Sequence, residues 1–274
     1  MSPTSLEIHI RARLAEQATD HPILLMSHLV LGHPSLEENR RVIAAMADNG
    51  VDLMELQIPF SEPIADGPVI AQANQSALDH GFRVEEGLAF IGETVRRHPQ
   101  IPFLIMTYFN ILLARGVERF IRTAAELGVR GLIIPDLPPQ EAAAAMAACR
   151  EFGKGNLDWI QLLTPTSTDE RLGYIGERAA GFCYCVARKG VTGKRTDFDA
   201  SLRHFITRCR AVTSTPLAVG FGVKRPEDVD ALRGVADIAV VGTAAMEHHA
   251  AGGAAAVGTF FGELSRGRRT AATV

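Results

Sequence analysis

Eight short apolar runs, each followed by a stretch with helical spacing, constrain this 274-residue chain more than anything else in it. The runs lie at 23–31, 52–58, 103–108, 131–135, 158–162, 181–186, 216–219 and 236–241. They are too continuously apolar for strands with one solvated face, and match strands buried on both faces of a parallel sheet. Helical patterns fill the intervals at 36–48 (behind the cap-like Ser35), 84–97, 117–127, the alanine-rich 140–152, 168–178, 201–212 and 226–233. Alternating strand and helix implies a parallel sheet, either doubly wound or closed. A doubly wound sheet usually has fewer strands and a G-x-G-x-x-G turn after the first one. Here the first run leads into Leu31-Gly32-His33-Pro34, which lacks that fingerprint. The expectation is a single (β/α)8 barrel over 1–264, a fold that typically takes about 250 residues. A last helix is expected around 257–264, and 265–274 as a frayed tail. The first residues read as a short helix, with Leu6, Ile8, Ile10 and Leu14 as candidate buried positions.

Composition narrows the class of function. With 28 Lys+Arg against 31 Asp+Glu the net charge is −3, which gives no footprint for nucleic acid or an anionic membrane. No apolar run approaches the ~20 residues of a membrane span. The opening residues contain no apolar core of a secretory signal, so the expected location is the cytoplasm. Cys149, Cys183, Cys185 and Cys209 have no zinc-site spacing and read as reduced thiols. The histidines form no H-x-x-x-H or H-E-x-x-H pattern, and no metal is expected.

In a (β/α)8 barrel the chemistry sits at the C-terminal ends of the strands. Glu55 lies inside the second apolar run, where alternation places Leu53, Glu55 and Gln57 on one face and Met54, Leu56 and Ile58 on the other. A carboxylate on a buried strand face is costly unless it is paired or functional. Burial also raises a carboxyl's pKa, which suits proton transfer near neutral pH. Asp66 sits on the following loop among Pro63, Gly67 and Pro68; it could act chemically or merely form a turn or cap. Gly190 and Gly193 follow the sixth run, Gly220-Phe221-Gly222 the seventh and Gly242-Thr243 the eighth. Glycine turns at the seventh and eighth strand ends, with a helix N-terminus beside them, suit a phosphate group. Ordinary tight turns are the alternative.

These segments closely resemble the tryptophan synthase α subunit family. The resemblance rests on Glu55-Leu56-x-Ile58-Pro59-Phe60-Ser61-x-Pro63-x-Ala65-Asp66-Gly67-Pro68. In order after it come Met106-Thr107-Tyr108-Phe109-Asn110, Pro135-Asp136-Leu137-Pro138, Arg188-x-Gly190-Val191-Thr192-Gly193 and Gly220-Phe221-Gly222. It spans roughly 20–262. It implies retro-aldol cleavage of indole-3-glycerol phosphate to indole and glyceraldehyde 3-phosphate, without a cofactor and with a β subunit as partner in an αββα complex. By resemblance, Glu55 and Asp66 are the catalytic carboxylates. Tyr184 and Phe221 line the substrate pocket, Gly193, Gly222, Gly242 and Thr243 hold the phosphate, and the loop containing Thr192 closes over the site. Asp136 corresponds to an aspartate near the subunit interface. The chain departs from the family at Gln57, where glycine is frequent, at Glu62, at Thr243 and around the first strand. There His28 and Val30 stand where an aromatic and a threonine are frequent, and Gly32-His33-Pro34 replaces Gly-Asp-Pro.

The residue types suit the chemistry. Carbon 3 of the indole must gain a proton, the ring nitrogen then carries positive character, and the side-chain hydroxyl must lose its proton as the bond breaks. Glu55 could donate and then accept, while Asp66 stabilises the nitrogen's charge. Other readings stay open: a lyase releasing free indole by itself, a mainly allosteric partner of the β subunit, or a sugar-phosphate isomerase. A Schiff-base aldolase needs an inward lysine, and alternation turns Lys189 outward.

Overall fold

The computed structural model describes residues 3–17, 19–186, 200–220 and 222–269. Its strands are β1 (Leu24–Val30), β2 (Leu53–Gln57), β3 (Phe103–Met106), β4 (Gly131–Ile133), β5 (Asp158–Trp159), β6 (Gln161–Leu163), β7 (Cys183–Val186), β8 (Leu217–Gly220) and β9 (Ile238–Val241). Every pairing is parallel, in the order β5-β4-β3-β2-β1-β9-β8-β7-β6. The two end strands are neighbours in sequence. Asp158–Trp159 pairs with β4, Ile160 N–H donates to the Leu132 carbonyl, and Gln161–Leu163 pairs with β7. The run expected as one strand at 158–162 is thus two half-strands, each serving one neighbour, and together they close the barrel.

The alternation read from the second run holds in space. Leu53 joins the barrel interior with Leu24, Met26, Leu104, Met106, Ile133, Ile160, Ala218, Ile238 and Val240. Met54, Leu56 and Ile58 face the surrounding helices instead. Each fully buried aliphatic or aromatic side chain contributes about 1.5–3 kcal/mol, so these two layers fix the inward direction of Glu55 and Gln57. Trp159 is buried in the outer layer, and the four cysteines are buried free thiols.

The helices named here are α1 (Ser5–Ala15), α2 (Leu36–Asp48), α3 (Pro68–Asp79), α4 (Val84–Arg97), α5 (Phe109–Arg115), α6 (Val117–Glu126), α7 (Ala143–Gly153), α8 (Asp169–Gly176), α9 (Ala200–Val212), α10 (Pro226–Leu232) and α11 (Thr243–Arg269). Ser35 caps α2 by accepting from Glu38 N–H, and Thr168 caps α8 by accepting from Arg171 N–H. α1 covers the N-terminal end of the barrel, its Leu6 and Ile10 fully buried beside Phe182 and Leu14 partly buried. Ile8, expected to be buried, is 55% exposed. The stripe at 6, 10 and 14 follows the four-residue spacing of a helix face, and Ile8 falls on the opposite side.

Three helical features differ from the sequence expectation. α3 starts at Pro68, which is well suited to a first helical position, inside a stretch read as loop. α5 is a seven-residue helix directly after β3. α11 begins at Thr243 and runs to Arg269, well beyond the expected 257–264. Its path kinks at Gly252 and Gly253, whose non-helical backbone breaks the periodicity. No helix of the described residues is long and apolar enough to cross a membrane.

Candidate active site

Register brings the polar groups together. In the β1–β2 ladder His28 lies opposite Glu55 and Val30 opposite Gln57. His28 and Glu55 are 5% and 3% exposed, and their facing atoms, Nδ1 and Oε1, are 3.1 Å apart. The other Glu55 oxygen, His28 Nε2 and Gln57 Oε1 have no hydrogen-bond partner among the described residues. Buried polar atoms without partners cost about 1–3 kcal/mol each. Their concentration here makes the inner faces of β1 and β2 a candidate for a functional site.

Asp66 reaches the same point from the loop after β2. One carboxylate oxygen accepts from Gln57 Nε2 at 2.7 Å and from the Tyr108 hydroxyl at 3.1 Å. The Tyr108 oxygen in turn accepts from Ala65 N–H at 3.0 Å, and its ring stacks on Phe60 with centroids 5.1 Å apart. These contacts tie a Pro- and Gly-rich loop to the end of β3. Burial pushes the Asp66 carboxyl above the usual carboxylate range. The charge on His28 and the hydrogen bonds from Gln57 and Tyr108 oppose that rise, and Glu55 adds to it. Burial, reinforced by the Asp66 charge, raises the Tyr108 phenol, so this hydroxyl serves as a donor.

Glu55, Asp66, Tyr184, Gly222, Gly242 and Thr243 all line one cavity of about 190 Å³ at the C-terminal end of the barrel. Its walls divide by chemistry. The two carboxyl groups and His28 lie near β1 and β2, while Met106, Ile133, Leu162, Val186 and Val240 offer apolar surface for a flat ring. Gly222, Gly242 and the start of α11 form another side. The first N–H groups of any helix have no partner within it, and the dipole there favours an anion. Gly222 has φ +95°, a conformation that suits glycine. Gly220 leaves room for Tyr184, since a Cβ there would stand 3.3 Å from the phenol oxygen.

Thr192, Gly193 and Phe221 lie outside the described residues, as does Lys189. The sequence reading assigned no role to Tyr108 or Lys224, and treated His28 and Gln57 only as departures from a pattern. Tyr108 could have been found from its place just beyond a strand end, and His28 and Gln57 from polar residues inside apolar runs. Lys224, at the rim and paired with Glu247, carries no such signal. Among the described residues no group of His, Cys, Asp or Glu side chains is arranged to hold a metal ion.

This geometry agrees with what the chain resembles. The family described as "Tryptophan synthase alpha chain" matches residues 14–257. A tryptophan synthase alpha chain from Desulfotalea psychrophila is 48% identical over 251 residues, covering 92% of this chain and 97% of the relative. One from Syntrophotalea carbinolica is 49% identical over 259 residues, covering 94% and 99%. Among solved structures, Mycobacterium tuberculosis tryptophan synthase superposes with a TM-score of 0.88 at 32% identity, covering 98% of this chain and 99% of that one. The tryptophan synthase α2β2 complex of Pyrococcus furiosus contains a chain that superposes at 0.81 and 31% identity, covering 88% and 97%. On sequence, fold and site together, the chain belongs to the tryptophan synthase alpha chain family.

Proposed function

We propose that the family reaction, cleavage of indole-3-glycerol phosphate to indole and glyceraldehyde 3-phosphate, runs in this chain through Glu55 and Asp66. The observation that carries this reading is the convergence of two carboxyl groups, an apolar slot and a glycine-lined helix N-terminus on one cavity. Glu55 protonates carbon 3 of the indole, which places positive character on the ring nitrogen. Asp66, held by Gln57 and Tyr108, faces that nitrogen and stabilises its charge. Glu55, now a carboxylate, takes the hydroxyl proton. The carbon–carbon bond pair returns to the ring, and the carbinol carbon becomes the aldehyde. The proton given to carbon 3 and the one taken from the hydroxyl balance, so Glu55 ends as it began.

Tyr184 and Phe221 flank the indole. Gly193, Gly222, Gly242 and Thr243 take the phosphate, whose binding energy orients the reacting bond, and Thr192 is a further substrate-binding residue. The chain works in the cytoplasm with a β subunit; the α2β2 assembly of the Pyrococcus furiosus relative supports that partner.

The test is indole release from indole-3-glycerol phosphate by the purified chain, alone and with a β subunit. Release that is slow alone and much faster with the partner supports an α subunit in an α2β2 enzyme. Fast release alone points to an independent lyase. Glu55→Gln and Asp66→Asn are expected to lower turnover by at least about 100-fold while substrate still binds, within the range ascribed to acid–base and electrostatic groups. Turnover near wild type in either variant removes that residue's role.

A further inference from the structure

We infer that His28 is a positioning residue for Glu55: it fixes the carboxyl through Nδ1–H and leaves the other oxygen aimed at the substrate to give and take the proton. The inference rests on the reading of Glu55 as the acid and base.

The geometry leaves few other uses for this imidazole. It projects from β1 into the barrel opposite Glu55, both side chains are almost fully buried, and Nδ1 stands 3.1 Å from Oε1. A carboxyl group held at one oxygen presents the other in a fixed direction. Oε2 is the Glu55 atom without a partner among the described residues, and both side chains line the cavity. Proton donation to carbon 3 and removal of the hydroxyl proton therefore both take place at Oε2. His28 keeps Nδ1–H on Oε1 throughout and stabilises the negative charge that Glu55 carries between the two transfers.

The surroundings act on the imidazole from several sides. From β2 the imidazole faces Glu55 and the Gln57 amide; from the loop beyond, it faces Asp66. Tyr184 approaches from β7 as a neutral phenol. On its other side His33 and His249 share a small cavity with it, and His249 is paired with Glu38. Lys224, across the main cavity, is paired with Glu247. Burial alone favours the neutral imidazole, but the charge and hydrogen bond of Glu55, with Asp66 and Gln57, outweigh it and raise the His28 pKa.

The experiment uses the full chain. The imidazole of His28 is followed by NMR across pH in wild type and in Glu55→Gln, and kcat and KM are measured in wild type, His28→Asn and His28→Leu. Asparagine keeps an N–H donor near Nδ1, and leucine fills the space without one. In Glu55→Gln the His28 titration falls by about one pH unit or more. In His28→Leu kcat falls about tenfold while KM stays within about twofold, and His28→Asn restores most of that loss. A His28 titration unchanged in Glu55→Gln overturns the inference, and needs no active variant. So does a His28→Leu variant that melts and turns over like wild type, or a loss in His28→Asn as deep as in His28→Leu; in either case a dead Glu55→Gln leaves the Glu55 reading standing. Turnover retained in Glu55→Gln overturns both.

Discussion

Gln57 donates its side-chain N–H to Asp66 over 2.7 Å, joining the inward face of β2 to the loop that follows it. Gln57 is fully buried and Asp66 half-buried, so little water competes for that bond. A hydrogen bond to a charged group contributes about 1.5–3 kcal/mol. Here it favours the ionised carboxylate against the burial that raises its pKa.

Removing this donor has a definite sign. In the proposed mechanism Asp66 is ionised when it stabilises the ring nitrogen, so its titration is expected to limit the rate on the acid side. In Gln57→Ala the opposing hydrogen bond is gone, the Asp66 pKa rises further, and the acid limb of kcat/KM moves to higher pH. The expected shift is about one unit, and the rate below that limb falls about tenfold. A pH–rate profile with an unmoved acid limb would show that Tyr108 alone holds the carboxylate.

Tyr108 makes the complementary case. Its hydroxyl donates to Asp66 and accepts from Ala65 N–H, while its ring stacks on Phe60. Tyr108→Phe keeps the ring and deletes both hydrogen bonds. Stability should fall by about 1–2 kcal/mol, chiefly from the stranded Ala65 N–H and the lost donor to Asp66. Turnover should fall severalfold with the acid limb displaced in the same direction as in Gln57→Ala. Thermal melts and the pH profile check the two effects separately, and a stability loss without a kinetic change would confine Tyr108 to holding the loop.

The barrel was legible in the sequence because its signal is redundant. Eight buried strands of a parallel sheet each need a continuous apolar run, and alternation within 52–58 already turned Glu55 inward. What escaped has local causes. The fifth run looked like one strand because hydrogen bonding, not hydrophobicity, divides it at Ile160. α5 is shorter than two full helical turns, and α11 hid behind Gly252-Gly253. In the site, Glu55 and Asp66 stood out as carboxylates in unusual settings. The roles of Gln57, Tyr108 and His28 depend on which strands are neighbours, and no single segment carries that information.

Glycine at 222 offers a test of the proposed phosphate side of the cavity. Its φ of +95° lies where a Cβ is strained by about 1–2 kcal/mol. Gly222→Ala should therefore pull the turn away from its present path and raise KM for the phosphorylated substrate about tenfold, with kcat changed less. Gly242→Ala tests the other glycine of this side. Its added Cβ would meet His28 and Ile70 at 3.6 and 3.7 Å, ordinary contact distances, and it needs no unusual φ, so the fold accepts it and a rise in KM reports crowding of the phosphate. KM within about twofold of wild type in both variants would place the phosphate away from these turns.

At the opposite end of the barrel, Asp158 links pH to stability. It is buried beneath α1 and accepts from the Thr4 hydroxyl at 2.6 Å. Burial raises its carboxyl from 3.8 to about 6, against the pull of Thr4 and Arg130. A carboxyl whose folded pKa is raised binds its proton more tightly when folded than when unfolded. Its contribution is most favourable below the unfolded value near 3.8 and is lost as pH rises through about 6. The opposite slope, from carboxylates with lowered pKa such as Glu38 and Glu93, masks this in wild type alone. The difference between wild type and Asp158→Asn isolates it, because asparagine stays neutral and its carbonyl can still accept from Thr4. Urea midpoints at pH 4 and pH 7.5 should show the variant gaining on wild type as pH rises, by an amount on the order of 1–3 kcal/mol. A difference independent of pH would mean that Asp158 ionises in the folded barrel as readily as in the unfolded chain.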